Sequence, residues 1–250
     1  ANRIPEIADE IYQIDDASKA GFGWEFGPFE TWDLLGFQTV LAAIEKAQLP
    51  VPSWVKNFQE KGYTRFYKIE GNQRKFYNVS SETYEIIPGT ESLVVLDNFR
   101  TQSPVYSNKE ATLHDIGDGV LCLEFHSKMN AIGSGTLAAI NRSIAIAEQE
   151  VWHGLVIGND APNFSAGANL AMMLMLAIEQ EFDELNVAIR YFQNTVMRLR
   201  YSSIPVVIAP HGLTLGGGCE MTLHADAAVA SAETYIGLVE AGAGLIPGGG

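Results

Sequence analysis

Basic residues are scarce in this chain. Lysine and arginine together number 16 against 30 aspartates and glutamates, a formal net charge of −14. Nucleic-acid binders draw much of their affinity from neutralised phosphates, so this balance argues against that class of partner. It also means that a polyanionic ligand must be met by local features, because the overall field repels it. Cysteine is nearly absent, with only Cys122 and Cys219. That excludes a disulfide framework and suits a reducing compartment. No apolar run is long enough to span a bilayer, and no basic segment followed by an apolar stretch opens the chain. A soluble, cytoplasmic protein without a membrane partner is expected. The histidines, His114, His126, His153, His211 and His224, form no His-x-x-x-His spacing, so no metal is expected. There is no Gly-x-Gly-x-x-Gly fingerprint after an early strand, and no tandem repeat.

What is present reads as globular. Hydrophobic residues make up 47% and charged residues 18% of 250, enough to bury a core in one large or two modest domains. Residues 1–60 read as helical. Ile4, Ile7, Ile11 and Ile14 recur on one face, and a second pattern carries Trp32, Leu35, Val40, Leu41 and Ile44 up to Pro50. Between them lies the loop Gly21 to Glu30. Residues 61–110 read as a linker with short strands, at Arg65–Ile69 and Ser92–Leu96, punctuated by Gly71-Asn72 and Pro88-Gly89. From 111 to 250 the rhythm is α/β. Strands are expected at Val120–Phe125, Leu155–Ile157, Pro205–Ala209 and Ala227–Ala230, with one long helix from about Leu170 to Leu199. Lys56, Lys61, Arg65, Lys68, Arg74 and Lys75 lie among aromatics but read best as a solvated charged linker.

Two strand-to-helix junctions are built from small residues: Phe164-Ser165-Ala166-Gly167-Ala168-Asn169 and Leu215-Gly216-Gly217-Gly218-Cys219-Glu220. Small residues at a helix start let a ligand approach the outward-pointing N–H groups of the first turn. Two such starts facing one spot would make a two-donor oxyanion hole; either alone reads better as a tight turn. Glu220 falls in the first turn after the glycines, where N–H groups favour its ionised form. Glu240 precedes Ala241 to Gly248. Carboxylates in different environments can split into one acid and one base. Met172, Met173 and Met175 open the long helix, either lining a pocket or packing in the core.

On these motifs the stretch from Leu113 to Gly250 resembles the crotonase (enoyl-CoA hydratase/isomerase) superfamily. The pieces that carry the likeness are Phe125 to Ala131, Phe164 to Leu170, Gly216 to Glu220 and Glu240 to Gly248. The resemblance implies that Ala166 and Gly217 present the N–H groups that hold a thioester oxygen. It implies that Glu220 is the base towards water and that Glu240 delivers a proton to C2 of a 2-enoyl-CoA. Lys128 lies in the motif that sits near the CoA nucleotide in relatives and would supply a local positive charge there, and Met129, Ala168, Asn169 and Leu170 match substrate- or CoA-binding positions; many relatives have Asp where Asn169 stands. Two glutamates favour hydration over double-bond isomerisation, which generally needs one. The hydratase itself needs no cofactor, and the superfamily usually trimerises.

Gly21 to Gly36, above all Glu25-Phe26-Gly27-Pro28-Phe29-Glu30 and Trp32 to Gly36, resembles the helical C-terminal region of 3-hydroxyacyl-CoA dehydrogenases. Multifunctional fatty-acid oxidation enzymes fuse that region to a crotonase-like module; NAD belongs to their preceding domain, whose fingerprint is missing here. The expected architecture is therefore an α/β crotonase-like ββα spiral at 111–250, preceded by a small helical domain at 1–60 and a strand-containing linker at 61–110. Both ends are expected to be cut short relative to the family. The function this implies is hydration of 2-enoyl-CoA to 3-hydroxyacyl-CoA in β-oxidation. The alternatives are an enoyl-CoA isomerase, or an acyl-CoA-binding or assembly segment without turnover.

Overall fold

Phe29, Phe58, Phe66, Phe76 and Tyr77 are each no more than 2% exposed and share one aromatic core. Helices and strands of the first hundred or so residues therefore belong to one folded unit. The computed structural model describes residues 1–149 and 152–249 and divides into two units, Ala1–Asn98 and Phe99–Gly250. The expected division at 60/61 and 110/111 differs from this. Residues 61–98 are part of the first unit because their aromatics fill its core. The last residue of the 248–250 glycine run, and of the expected 111–250 domain, lies outside the described residues.

In the first unit α1 (Ile11–Phe22), α2 (Pro28–Leu35), α3 (Phe37–Lys46) and α4 (Ser53–Glu60) precede β1 (Tyr67–Glu70), β2 (Gln73–Asn78) and β3 (Thr83–Ile86), an antiparallel sheet in that order. Asp15 of α1 explains the Gly27-Pro28-Phe29-Glu30 run. Its fully buried carboxylate accepts the N–H groups of Phe29 (2.8 Å) and Glu30 (3.1 Å) and the Tyr67 hydroxyl (2.7 Å). It thereby satisfies donors that a helix start leaves open. Gly27 must be small, since a Cβ there would stand 2.3 Å from Asp15 Cβ. Asp33 of α2 then accepts the N–H groups of Phe66 and Tyr67, each at 2.8 Å, fastening the sheet to the helices.

Several local expectations shift. The isoleucine stripe forms a helix only from Ile11 onward, with Ile4 and Ile7 in turns. The second helical pattern is broken at Gly36, whose φ of 90° no helix tolerates. Ser92–Leu96 is not a strand: Leu93 and Val94 are 58% and 53% exposed, and no neighbouring strand pairs with them among the described residues. Of the basic residues near 61–75, Arg74 pairs with Glu30 at 2.9 Å and Lys61 pairs with Glu82, while both keep more than a third of their side chains exposed to solvent.

The second unit is built on a six-stranded sheet. Its strands are β4 (Tyr106–Ser107), β5 (Ala111–Asp115), β6 (Val120–Phe125), β7 (Gly154–Gly158), β8 (Val206–Ile208) and β10 (Ala227–Ala228), in the order β10-β8-β7-β6-β5-β4. The sheet is parallel from β6 to β10 and antiparallel at the β4–β5 and β5–β6 pairs. Side chains alternate across it. Leu113, Leu121, Leu123, Phe125, Leu155 and Ile157 share a core with Ile140 and Ile144 of α5 (Ser134–Gln149). By the same alternation, His114 and Glu124 lie on the other face.

The remaining elements shape one end of this unit. They are α6 (Leu170–Ile178), α7 (Phe182–Arg200), β9 (Leu213–Leu215), α8 (Gly217–His224) and β11 (Tyr235–Gly237). The single long helix expected over 170–199 is two, because Gln180 turns left-handed (φ 59°) and its N–H bonds back to Ala177. β11 pairs in parallel with β9, and Ser165 bridges to Thr214 on β9. That small second sheet gathers the motif loops.

Candidate active site

Gly216 and Gly167 bring the two small-residue junctions into contact. Gly216 caps α8 with φ 50° and ψ −117°, a backbone shape open essentially to glycine alone. Gly167 has φ 90°, and a Cβ on it would stand 2.8 Å from the Leu215 carbonyl oxygen and 3.3 Å from Gly217 N. A Cβ on Gly217 would in turn lie 3.5 Å from Ala168 N. The amides of Ala168 and Gly217 are therefore close neighbours.

Which amides are free corrects the sequence expectation. Ala166 N–H donates to the Met129 carbonyl at 3.2 Å, so it is not available to a ligand. Gly167 N–H donates to Ser165 Oγ at 3.1 Å, and that hydroxyl is fixed by the Asn130 carbonyl at 2.8 Å. Ala168 N–H makes no hydrogen bond among the described residues, and neither does Gly217 N–H in the first turn of α8. The donor pair is Ala168 and Gly217. The available signal was Gly167 itself: a left-handed glycine re-aims the peptide that follows it.

Both glutamates converge on these turns. Glu220, 4% exposed, sits one helical turn into α8, and its Oε1 accepts the Gly249 N–H at 2.6 Å. Burial pushes its carboxyl above the ordinary range and the neighbouring Glu240 adds to this, while the Gly249 amide and His224 pull the other way. Glu240 opens a short 3-10 turn, Glu240–Ala243, just after β11. Its Oε1 faces Gly216, where a Cβ would come within 2.9 Å, and its Oε2 is buried without a hydrogen-bond partner among the described residues. Cys219 lies between two acids and is buried; burial and both carboxylates push its thiol up. Sequence reasoning missed Gly249 as a partner of Glu220, and Phe192 of α7 as a wall, 3.2 Å from where a Gly217 Cβ would be.

The other expected residues lie around this centre. Asn169 caps α6, its side chain accepting the Met172 N–H at 3.3 Å, a role that Asp fills equally. Leu170 opens α6 at 49% exposure, and no residue of α6 is buried. Met172 and Met175 are 41% and 61% exposed, so core packing does not explain the methionines. Lys128 is exposed and Met129 is 68% exposed in the short turn Lys128–Asn130; the Met129 carbonyl holds Ala166, and among the described residues no hydrogen bond or ion pair ties either side chain to the glutamates. Among the described residues no cluster of three or more His, Cys, Asp or Glu could hold a metal, and no helix is long and apolar enough to cross a membrane.

A main sheet whose neighbouring elements bring two glycine turns together beside two acids is the architecture of the crotonase class of fold. Solved structures agree: the chain matches enoyl-CoA hydratases from Polaromonas (TM-score 0.53, 24% identity, 56% of this chain and 55% of that one) and Geobacillus kaustophilus (TM-score 0.53, 23% identity, 58% and 55%). The sequence profile of the enoyl-CoA hydratase/isomerase family matches residues 115–250, more than half of the chain, and the chain belongs to that family. Along its whole length it is 45% identical to a "Probable 3-hydroxyacyl-CoA dehydrogenase" of Bacillus subtilis and 30% identical to a "Putative fatty acid oxidation complex trifunctional enzyme" of Rickettsia felis. It spans 31% and 32% of those two relatives' own lengths. The likeness to both includes the first unit, which the family profile does not reach.

Proposed function

We propose that the second unit hydrates 2-enoyl-CoA to 3-hydroxyacyl-CoA. In this reading the N–H groups of Ala168 and Gly217 hold the thioester oxygen. Polarising that carbonyl draws negative charge from C2 to oxygen, and two fixed donors stabilise the enolate-like state, by about 3 kcal/mol each in comparable sites. Glu220 takes a proton from water as the hydroxyl adds to C3, and Glu240 delivers a proton to C2. Lys128 lies towards the CoA nucleotide, Met129, Asn169 and Leu170 flank the bound CoA thioester, and the exposed methionines of α6 meet its acyl chain. The observation that carries the reading is the convergence of two carboxylates on one pair of adjacent, unoccupied backbone donors.

The first unit is read as the helical C-terminal part of a 3-hydroxyacyl-CoA dehydrogenase, on its likeness to relatives of that name. NAD then belongs to a part of such proteins outside this chain. A cytoplasmic homo-oligomer acting in fatty-acid oxidation completes the proposal.

Loss of the conjugated thioester absorbance of but-2-enoyl-CoA tests it directly. Glu220→Gln and Glu240→Gln should each lower kcat by at least about a hundredfold while CoA-thioester binding persists. Activity retained in Glu220→Gln or Glu240→Gln, with double-bond migration in 3-enoyl-CoA, would point to the isomerase instead. Binding without turnover by the parent would leave an acyl-CoA-binding module.

A further inference from the structure

Gln193 on α7 reaches the same glycine segment that touches Glu220. Its Nε2 donates to the Gly248 carbonyl at 2.7 Å. The Gly249 N–H donates to Glu220 Oε1 at 2.6 Å. These two groups belong to one peptide unit, which is planar, so fixing its carbonyl fixes the direction of its N–H. A hydrogen bond accepted by the carbonyl also polarises the N–H, strengthening what it donates. Phe192, one residue earlier, closes the other side: a Cβ on Gly249 would stand 2.3 Å from Phe192 Cε1 and 2.8 Å from Glu220 Oε2. The peptide is thus held between α7 and α8.

We propose that Gln193 is a positioning residue for Glu220, acting through the Gly248–Gly249 peptide to keep the carboxylate ionised and aimed. This rests on Glu220 being the base of the proposed hydration. The groups that face Glu220 are Glu240, which disfavours its charge, and His224 of its own helix, which favours it; Cys219 lies beside it. From α7 come Phe192 and Gln193, both uncharged. With burial and Glu240 both opposing ionisation, the amide donor is a main counterweight.

The test is the pH dependence of hydration by the intact protein and by Gln193→Met, which keeps the side-chain length but removes the donor. The acid limb of kcat/KM should move up by about one pH unit, with the alkaline plateau kept within about threefold. A merely structural glutamine would lower the rate equally at every pH, and an unmoved limb overturns the proposal. The carboxyl carbon of Glu220, followed by 13C NMR and assigned by its loss in Glu220→Gln, gives a second readout that needs no turnover. Its titration midpoint should rise in Gln193→Met, and an unchanged midpoint overturns the proposal. Should the parent fail to hydrate 2-enoyl-CoA, the reaction assignment falls while this titration still decides the role of Gln193. Gln193→Leu carries the same comparison should methionine disturb the packing.

Discussion

Gly216 lies against the Glu240 carboxylate, so close that a β-carbon on it would stand 2.9 Å from Oε1. Its φ of 50° and ψ of −117° already exclude most side chains. Gly216→Ala should therefore cost about 1–3 kcal/mol of strain and displace Glu240. The expected result is a drop in kcat of at least about tenfold with a folded protein by circular dichroism. Full activity in a folded variant would remove Glu240 from the chemistry.

Asn169 carries a milder prediction. Its side chain caps α6 through the Met172 N–H. Asn169→Ala should cost about 1 kcal/mol, whereas Asn169→Asp should be close to neutral. Chemical denaturation of the three proteins measures both, and equal losses in the two variants would refute the cap.

How much of this site could be read from the sequence depends on what each residue does. Glu220 and Glu240 were singled out by the family resemblance rather than by their spacing, and the structure brings both carboxylates to the glycine turns. Ala166 was misassigned because a backbone donor has no side chain to read. Which amide is free depends on Met129 and Ser165, and only the fold brings Met129 to Ala166. The strands at Val120–Phe125 and Leu155–Ile157 were legible as apolar runs buried in a parallel sheet. The first sheet was read as a linker because its strands are short and their buried aromatics, Tyr67, Phe76 and Tyr77, stand beside Lys68, Arg74 and Lys75. The apolar stripe of 170–199 hid a break, since Gln180 gives no warning of a left-handed turn.

On the far face of the main sheet, His114 Nε2 meets Glu124 Oε2 at 3.1 Å and Arg100 pairs with the same carboxylate. Burial pushes Glu124 up, but hydrogen bonds from His114 and Arg100 outweigh it and hold the carboxyl at about 2. A lowered pKa means stability present above the usual carboxylate value of about 4.3 and lost as pH falls towards 2. The parent should therefore exceed Glu124→Gln by about 2 kcal/mol at neutral pH, the gap closing across that window. Thermal melts from pH 7 to about 2 read this; a gap independent of pH would assign the loss to packing.

Asp15 joins three donors from two other elements and is fully buried. Asp15→Ala strands the N–H groups of Phe29 and Glu30 and the Tyr67 hydroxyl. A loss of about 3 kcal/mol is expected. Denaturant unfolding followed by tryptophan fluorescence, with Trp32 and Trp54 in or against that core, measures it. A change below about 1 kcal/mol would mean that water replaces the carboxylate.

The aromatic cluster of the first unit also decides where the polypeptide can be severed. Phe58 stacks on Phe66 with ring centroids 5.0 Å apart and meets Tyr77 edge-on at 4.7 Å. A protease nick or a gene boundary at residue 60 would strip four helices of the sheet that shields them, leaving two sticky halves. A cut after Asn98 leaves each hydrophobic interior whole, so fragments meant to be handled separately should begin at Phe99.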